Sequence, residues 1–176
     1  MPSRSWHSPA VPAVPNPPDI DGLIIRDLGP DDVDRWAQTE LERRHLVGAL
    51  AESDRYLAAV LPIGRIVGKI GIRYNEHPDA GNLYQFDVLG GYRRRGIGSK
   101  LLTRAQEIIA EHGCRRSTLG VEETNQDAIR LYHRFGYREF GTETAEWDQQ
   151  APDGSIYRYR CICVLMERQL SRPAEA

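Results

Sequence analysis

The chain has 176 residues, enough for one domain that buries its own core. Hydrophobic residues make up 40% of it and charged residues 27%, as in ordinary globular proteins. The formal net charge of -2 argues against a nucleic-acid partner. No apolar run is long enough to span a membrane, and the N-terminus lacks a basic segment followed by an apolar one. The sequence therefore predicts a cytoplasmic protein without a membrane partner.

The three cysteines include no Cys-x-x-Cys pair, which favours neither a disulfide framework nor a zinc site. We therefore expect a reducing compartment and no metal. Prolines are frequent in residues 1–20, where large apolar side chains are few, and this composition predicts a disordered tail. The folded domain is predicted to cover residues 21–170, and residues 171–176 are predicted to be a frayed C-terminus.

Apolar spacing and turn residues predict seven strands and four helices in the folded part. The predicted strands are Leu23–Leu28, Arg55–Leu61, Arg65–Tyr74, Leu83–Leu89, Ser117–Val121, Tyr137–Thr142 and Ile156–Glu167. The predicted helices begin at Pro30 and cover Glu40–Glu52, Ile97–His112 and Asn125–Phe135. Because strands and helices do not alternate strictly, this order predicts an α/β fold of the mixed α+β kind, with a single twisted mixed sheet and helices on both faces.

A turn rich in glycine and arginine, Gly90–Gly98, lies between the fourth strand and the third helix. Glycine lets the backbone approach a ligand closely, and the free N–H groups of a helix start attract anions. Three arginines in the turn add positive charge, so the segment predicts a phosphate site. The Walker and dinucleotide patterns fail here, at Ile97 and Leu101 respectively. A solvated arginine run is the alternative, but it opposes the helix dipole.

Two motifs resemble the GNAT superfamily of N-acetyltransferases. Arg93-x-x-Gly96-x-Gly98 resembles the pyrophosphate motif that follows the fourth strand in that family. The run Asn125-x-x-Ala128-x-x-Leu131-Tyr132-x-x-x-Gly136-Tyr137 resembles a second motif of the family, at the expected distance. The resemblance covers about residues 22–169.

This resemblance implies a GNAT-like, mostly antiparallel sheet whose fourth and fifth strands splay, with acetyl-CoA as the co-substrate in the opening. Backbone groups of Val88 and Leu89 would bind the pantetheine arm, and backbone N–H groups from Arg94 to Ser99 would bind the pyrophosphate. The implied coenzyme-binding residues are Val88, Leu89, Arg93, Arg94, Arg95, Gly96, Ile97, Gly98, Ser99, Asn125 and Tyr132. Asn125 would contact the pantetheine, although Thr124 and Asp127 also fit a capping box at the helix start.

Tyr132 matches the tyrosine that the family often uses as a general acid toward the departing thiolate. The alternative is a packing role on the apolar face of its helix. The sequence departs from the family at the general base, because the strand position that holds a glutamate in some members is Gly120 here. Glu122, on the same strand face, is the candidate catalytic carboxylate; Asp87, a merely paired carboxylate and a water-mediated route are the alternatives.

The acceptor entrance is expected between the helix pair of residues 31–52 and a loop over Glu143–Asp153. Both segments are acidic, and Trp36 and Trp147 are candidates for an apolar or cation–π surface. A solvated acidic rim is the alternative interpretation. The implied partner is an amine-bearing small molecule or a protein amine, and the sequence leaves a homodimer open.

The resemblance thus implies an acyltransferase enzyme that moves an acetyl group from acetyl-CoA to a primary amine in a ternary complex. The alternative is a catalytically silent sensor of acyl-CoA with the same fold, which the glycine at position 120 admits.

Overall fold

The computed structural model describes residues 19–52, 54–74 and 76–171. The predictions for the tail and for the frayed C-terminus therefore lie almost entirely outside the described residues. The strands are β1 Ile24–Asp27, β2 Arg55–Val60, β3 Ile66–Arg73, β4 Ala80–Val88, β5 Arg116–Glu122, β6 Arg138–Gln150 and β7 Ile156–Gln169. The helices are α1 Val33–Trp36, α2 Glu40–Ala51, α3 Ile97–Glu111 and α4 Gln126–Arg134. Short 3-10 turns cover Pro30–Asp32 and Gly90–Tyr92.

The seven strands form one sheet in the order β1-β2-β3-β4-β5-β7-β6. Neighbouring strands are antiparallel except β4 and β5, which are parallel. The prediction of a mixed, mostly antiparallel sheet is therefore confirmed. The predicted hairpin between β2 and β3 turns at Gly64, whose φ of +79 suits glycine.

Helices cover both faces of the sheet, as predicted. On one face α3 and α4 contribute Leu101, Ile109 and Ile129 to the larger core. On the other face α1 and α2 contribute Trp36 and Leu46 to a second core. The strands separate the two cores because alternate side chains of a strand point to opposite faces. We call these the α3/α4 face and the α1/α2 face.

The β6–β7 hairpin is longer than predicted, and the prediction of a loop over Glu143–Asp153 is wrong. Strand β6 continues to Gln150 and pairs with β7 along its length, so that the connecting turn covers only residues 151–155. The acidic side chains are satisfied across the strands: Glu146 bonds Arg160 and Asp148 bonds Arg158 at 3.1 Å. These cross-strand pairs stabilise the strand conformation of a segment whose many acidic residues are more typical of a loop.

Strands β4 and β5 splay, which confirms another implication of the resemblance. They pair only between Ala80–Leu83 and Arg116–Leu119, although both strands continue beyond those residues. A β-bulge in β4 places two residues opposite one residue of β3, and Gln85 there has a positive φ of 46. A bulge bends its strand, so the far end of β4 turns away from β5.

Candidate active site

A cleft of about 860 Å³ lies between the splayed strands and extends to the starts of α3 and α4. The predicted coenzyme-binding residues that line it are Val88, Arg93, Arg94, Gly96, Gly98, Ser99, Asn125 and Tyr132. The candidate catalytic carboxylate Glu122 and the bare position Gly120 also line it. The structure therefore brings most of the two sequence motifs to one cavity.

The turn before α3 leaves several backbone N–H groups without an acceptor among the described residues. Arg94 and Gly96 both have positive φ, 60 and 80, and such alternation turns successive N–H groups into one concavity. Within the described part of the chain, the N–H groups of residues 96–99 donate to no acceptor, since the first bond of the helix runs from Lys100 to Gly96. These groups carry the positive end of the helix dipole.

The arginines of this turn differ in their surroundings. Arg93 donates from Nε to the carbonyl of Val88 at 2.7 Å and from Nη2 to Asp87 at 3.1 Å, so it fastens the turn to β4. Arg94 is exposed at the cleft and makes no ion pair with any residue that the structure describes. Arg94 is thus the arginine placed to meet a ligand.

Three predicted coenzyme-binding residues, Leu89, Arg95 and Ile97, do not line the cleft in the described structure. The side chain of Ile97 is buried in the core, and both backbone groups of Leu89 bond within the protein, to Val67 and Tyr92. Their backbone roles stay predictions.

Asn125 caps helix α4, because its Oδ1 accepts from the N–H of Ala128 at 3.2 Å. The capping box that begins at Thr124 is wrong: the hydroxyl of Thr124 donates to Glu122 at 3.0 Å instead. The side chain of Asn125 still lines the cleft, so a contact with a ligand stays a prediction.

Tyr132 lies in the wall of the cleft with its ring buried in the core. Its ring packs edge-on against Tyr137, with the centroids 5.7 Å apart, and lies 6.4 Å from Phe86. Among the described residues its hydroxyl has no hydrogen-bond partner. Burial raises the pKa of Tyr132 above its ordinary value, so the phenol keeps its proton at neutral pH. Packing and donation are therefore compatible at this residue.

The candidate carboxylates lie on the α1/α2 face of the cleft. One oxygen of Glu122 accepts from the hydroxyl of Tyr159 at 2.6 Å, in addition to the bond from Thr124. This hydrogen bond is the largest cause of a raised pKa at Tyr159. Asp87 is engaged by Arg93. Glu123 is exposed and does not line the cleft.

Helix α2 and the hairpin are in contact, because the amide oxygen of Gln150 accepts from the N–H of Leu41 at 3.1 Å; an acceptor entrance between them stays a prediction. Trp36, however, is only 2% exposed and cannot present a surface to an acceptor. Its indole N–H donates to Glu42 at 2.7 Å, and the ammonium of Lys69 lies 5.5 Å from its ring centroid. Trp147 is 36% exposed and packs against Tyr159.

Most of the predicted acidic rim is paired. Asp32 bonds Arg26, and Asp34 bonds Arg43 at 2.7 Å. Glu146 and Asp148 bond arginines on the outer face of the hairpin, away from the cleft. Period-two alternation puts Glu146 and Asp148 on the opposite face of the hairpin from Glu143 and Trp147, so only the latter two can still flank an acceptor in the cleft.

Sequence reasoning missed two cationic residues and one aromatic residue of the cleft. Arg130 and Arg134 also line it, from α4. Their spacing of four residues is the signal that would have found them. Phe86 lines the opposite wall and lies against Gly98, where a Cβ would approach its ring to 3.3 Å.

Among the described residues, every helix is too short or too polar to span a membrane.

Comparison with known proteins supports the resemblance. The model of the acetyltransferase (GNAT) family matches residues 23–137, more than half of the chain. An N-alpha-acetyltransferase of Arabidopsis thaliana is 38% identical over 76 residues, which cover 42% of this chain and 40% of that protein. The chain thus aligns with less than half of that relative.

Solved structures share the fold. The ribosomal-protein-S18-alanine N-acetyltransferase from Escherichia coli has a TM-score of 0.68 at 19% identity, over 87% of this chain and 97% of its own. An aminoglycoside 6'-N-acetyltransferase complexed with coenzyme A has a TM-score of 0.64 at 17% identity, over 85% of this chain and 99% of its own. The splayed sheet, the two motifs at one cleft and the family match agree: the protein belongs to the GNAT acetyltransferase family.

Proposed function

We propose that the protein transfers an acetyl group from acetyl-CoA to a primary amine, directly and within a ternary complex. The observation that carries this proposal is the cleft, which joins unbonded N–H groups at one end to the hydroxyl of Tyr132 in its wall. Membership of a family of acetyltransferases supports the reaction class. The related aminoglycoside enzyme, solved with coenzyme A, supports the co-substrate.

The turn before α3 would hold the pyrophosphate. The N–H groups of residues 96–99 would be the hydrogen-bond donors, and Arg94 is a cation of the same turn that makes no ion pair in the described structure. Arg134 adds positive charge at the cleft from α4, whereas Arg130 there is paired with Asp127, which also lines the cleft. The pantetheine arm would follow β4 past Val88, with Asn125 opposite.

Tyr132 would act as the general acid. The amine nitrogen attacks the thioester carbon, the C–S bond breaks, and the sulfur takes the phenolic proton. The raised pKa of Tyr132 keeps the acid protonated until charge develops on sulfur. Glu122, held by Tyr159, would accept a hydrogen bond from the amine and orient it.

The acceptor is proposed to be an amine of a small molecule or of a protein. The relatives act on both kinds: one is an N-alpha-acetyltransferase, one acetylates the alanine of ribosomal protein S18, and one is an aminoglycoside acetyltransferase. The second candidate function is a silent acyl-CoA sensor, and the observation behind it is the missing side chain at Gly120 in the cleft wall.

Two measurements test the proposal in sequence. Thermal unfolding with acetyl-CoA, ATP or NAD tests the ligand, since a ligand at a hundred times its Kd stabilises by about 2.7 kcal/mol. Release of free thiol with a panel of amino acids, peptides and aminoglycosides then tests turnover. Stabilisation by acetyl-CoA without turnover would favour the sensor. No stabilisation by any acyl-CoA would contradict both functions.

A further inference from the structure

We infer that Glu143 is the general base of this site, which deepens the proposed function and rests on it. A primary amine is mostly protonated at neutral pH and must lose a proton before its nitrogen can attack a thioester. The cleft wall has no side chain at Gly120. A carboxylate on a neighbouring strand can supply the base instead.

The carboxylate of Glu143 lies beside the cleft residue Gly120, although Glu143 itself does not line the cleft. An ideal Cβ built on Gly120 would lie 3.8 Å from Oε1 of Glu143, close to the reach of a glutamate side chain beyond its own Cβ. Strand register explains this position. Glu143 and Glu122 are the two cross-strand partners of Cys163, so all three side chains lie on the α1/α2 face of the sheet.

Glu143 also differs from the two candidate carboxylates that line the cleft, Glu122 and Asp87, by being unengaged. Glu122 accepts two hydroxyl donors, and Asp87 is held by Arg93. Glu143 is exposed to solvent and makes no hydrogen bond or ion pair with any residue in the ranges that the structure covers. A carboxylate that can take up and release a proton needs this freedom, whereas one that holds two donors is suited to orientation.

The proton balance of the step is complete. The ammonium gives one proton to Glu143, directly or through one water, and the neutral nitrogen forms the C–N bond as the C–S bond breaks. The sulfur takes a proton from Tyr132, and the second proton lost by the nitrogen restores the phenol through solvent. Glu143 returns its proton to water, so one proton is released in each turnover.

The experiment compares Glu143→Gln with Glu146→Gln, a change on the same strand whose side chain faces the opposite side of the hairpin. For Glu143→Gln we expect kcat to fall about 10²-fold with the Kd of acetyl-CoA unchanged, since positioned bases contribute typically ~10²–10⁴-fold. Glu146→Gln should leave kcat near that of the wild type.

A rescue variant makes the test specific. A Cβ at Gly120 would make ordinary contacts, 3.7 Å to Cys163, 3.7 Å to Leu165 and 3.8 Å to the side chain of residue 143, so the backbone accepts a side chain at this position. Adding Gly120→Glu to Glu143→Gln should restore most of the lost kcat, whereas adding Gly120→Gln should not.

Three results would overturn the inference: an unchanged kcat in Glu143→Gln, a raised KM with unchanged kcat, or a lost kcat that Gly120→Glu does not restore. Absence of turnover in the wild type, with every amine tested, is a separate outcome, because it ends the proposed function itself.

Discussion

Replacing Tyr132 by Phe separates catalysis from packing at the centre of the cleft. The change removes a hydroxyl that has no hydrogen-bond partner among the described residues and keeps the ring against Tyr137. We therefore expect the free energy of unfolding to change by less than about 0.5 kcal/mol. If the phenol protonates the thiolate, kcat should fall about 10²–10⁴-fold, or roughly 2.7–5.5 kcal/mol in activation free energy.

The neighbouring Tyr137 provides the matched control, since it has the same chemistry with its hydroxyl in the core. It bonds Gln106 at 3.1 Å and Ser117 at 2.7 Å, and its exposed fraction is 1%. Tyr137→Phe leaves these buried partners unsatisfied and should destabilise the protein by about 2 kcal/mol. For a chain of this size that lowers Tm by roughly 4–8 °C. Its kcat at a temperature well below Tm should stay close to that of the wild type.

The assay measures kcat by thiol release, the Kd of acetyl-CoA by calorimetry and Tm by thermal unfolding in all three proteins. Because burial raises the pKa of Tyr132, the protonated acid persists to higher pH, and its alkaline limb should lie above pH 10. Near-normal kcat in a folded Tyr132→Phe would refute the acid role. An alkaline limb well below pH 10 that disappears in this variant would refute the effect of burial.

Two further predictions concern the coenzyme site and the stability of the entrance. Gly98→Glu should abolish acetyl-CoA binding in calorimetry, because the new side chain enters the cleft and its charge repels phosphate. Gly90→Glu, where the new side chain lies in open space, should leave binding unchanged. Equal Kd values for the two variants would contradict the proposed position of the pyrophosphate site. The hydrogen bond from Arg26 lowers the pKa of Asp32 below its ordinary value of 3.8. The ionised carboxylate therefore stabilises the fold above pH 3.8, and this stabilisation is lost as the pH falls through the lowered pKa. Asp32→Asn should therefore lower the free energy of unfolding by about 1–2 kcal/mol at neutral pH and leave it unchanged in strong acid. Asp34→Asn should lower it less, because the ion pair of Asp34 is exposed. Equal urea midpoints for the two variants at neutral pH would contradict this prediction.

The sequence predicted those parts of the site that depend on neighbouring residues. The turn of residues 90–98 and the start of α4 each carry local signals, namely a cluster of glycines, of which Gly96 has a positive φ, and Asn125, which caps the helix. The length of β6 was not predictable in this way, because its acidic side chains are satisfied by arginines of β7 that approach only after the hairpin forms. The early start of β4 was missed because Gly81 is typical of a turn. In the fold, a Cβ there would lie 2.5 Å from Ile109, so close packing of α3 requires the glycine.

The bulge that opens the cleft was equally hidden, because Gln85 is an uncommon residue for positive φ. Its stability comes from groups beneath it on the α1/α2 face. The buried ammonium of Lys69 donates to the carbonyl of Gln85 at 3.0 Å, and the hydroxyl of Tyr56 donates to its side chain at 2.9 Å.

This support carries a penalty, because the ammonium of Lys69 is kept out of water. Burial lowers the pKa of Lys69, and the negative charges of Glu42, at 3.9 Å, and of Asp87 partly offset that decrease. At the end of the same strand Arg93 bonds the carbonyl of Val88. Lys69 and Arg93 thus donate hydrogen bonds to backbone carbonyls of β4 in the part of the strand that does not pair with β5. Because Lys69 does not line the opening, its support of the bulge leaves the wall between β4 and β5 free for a ligand.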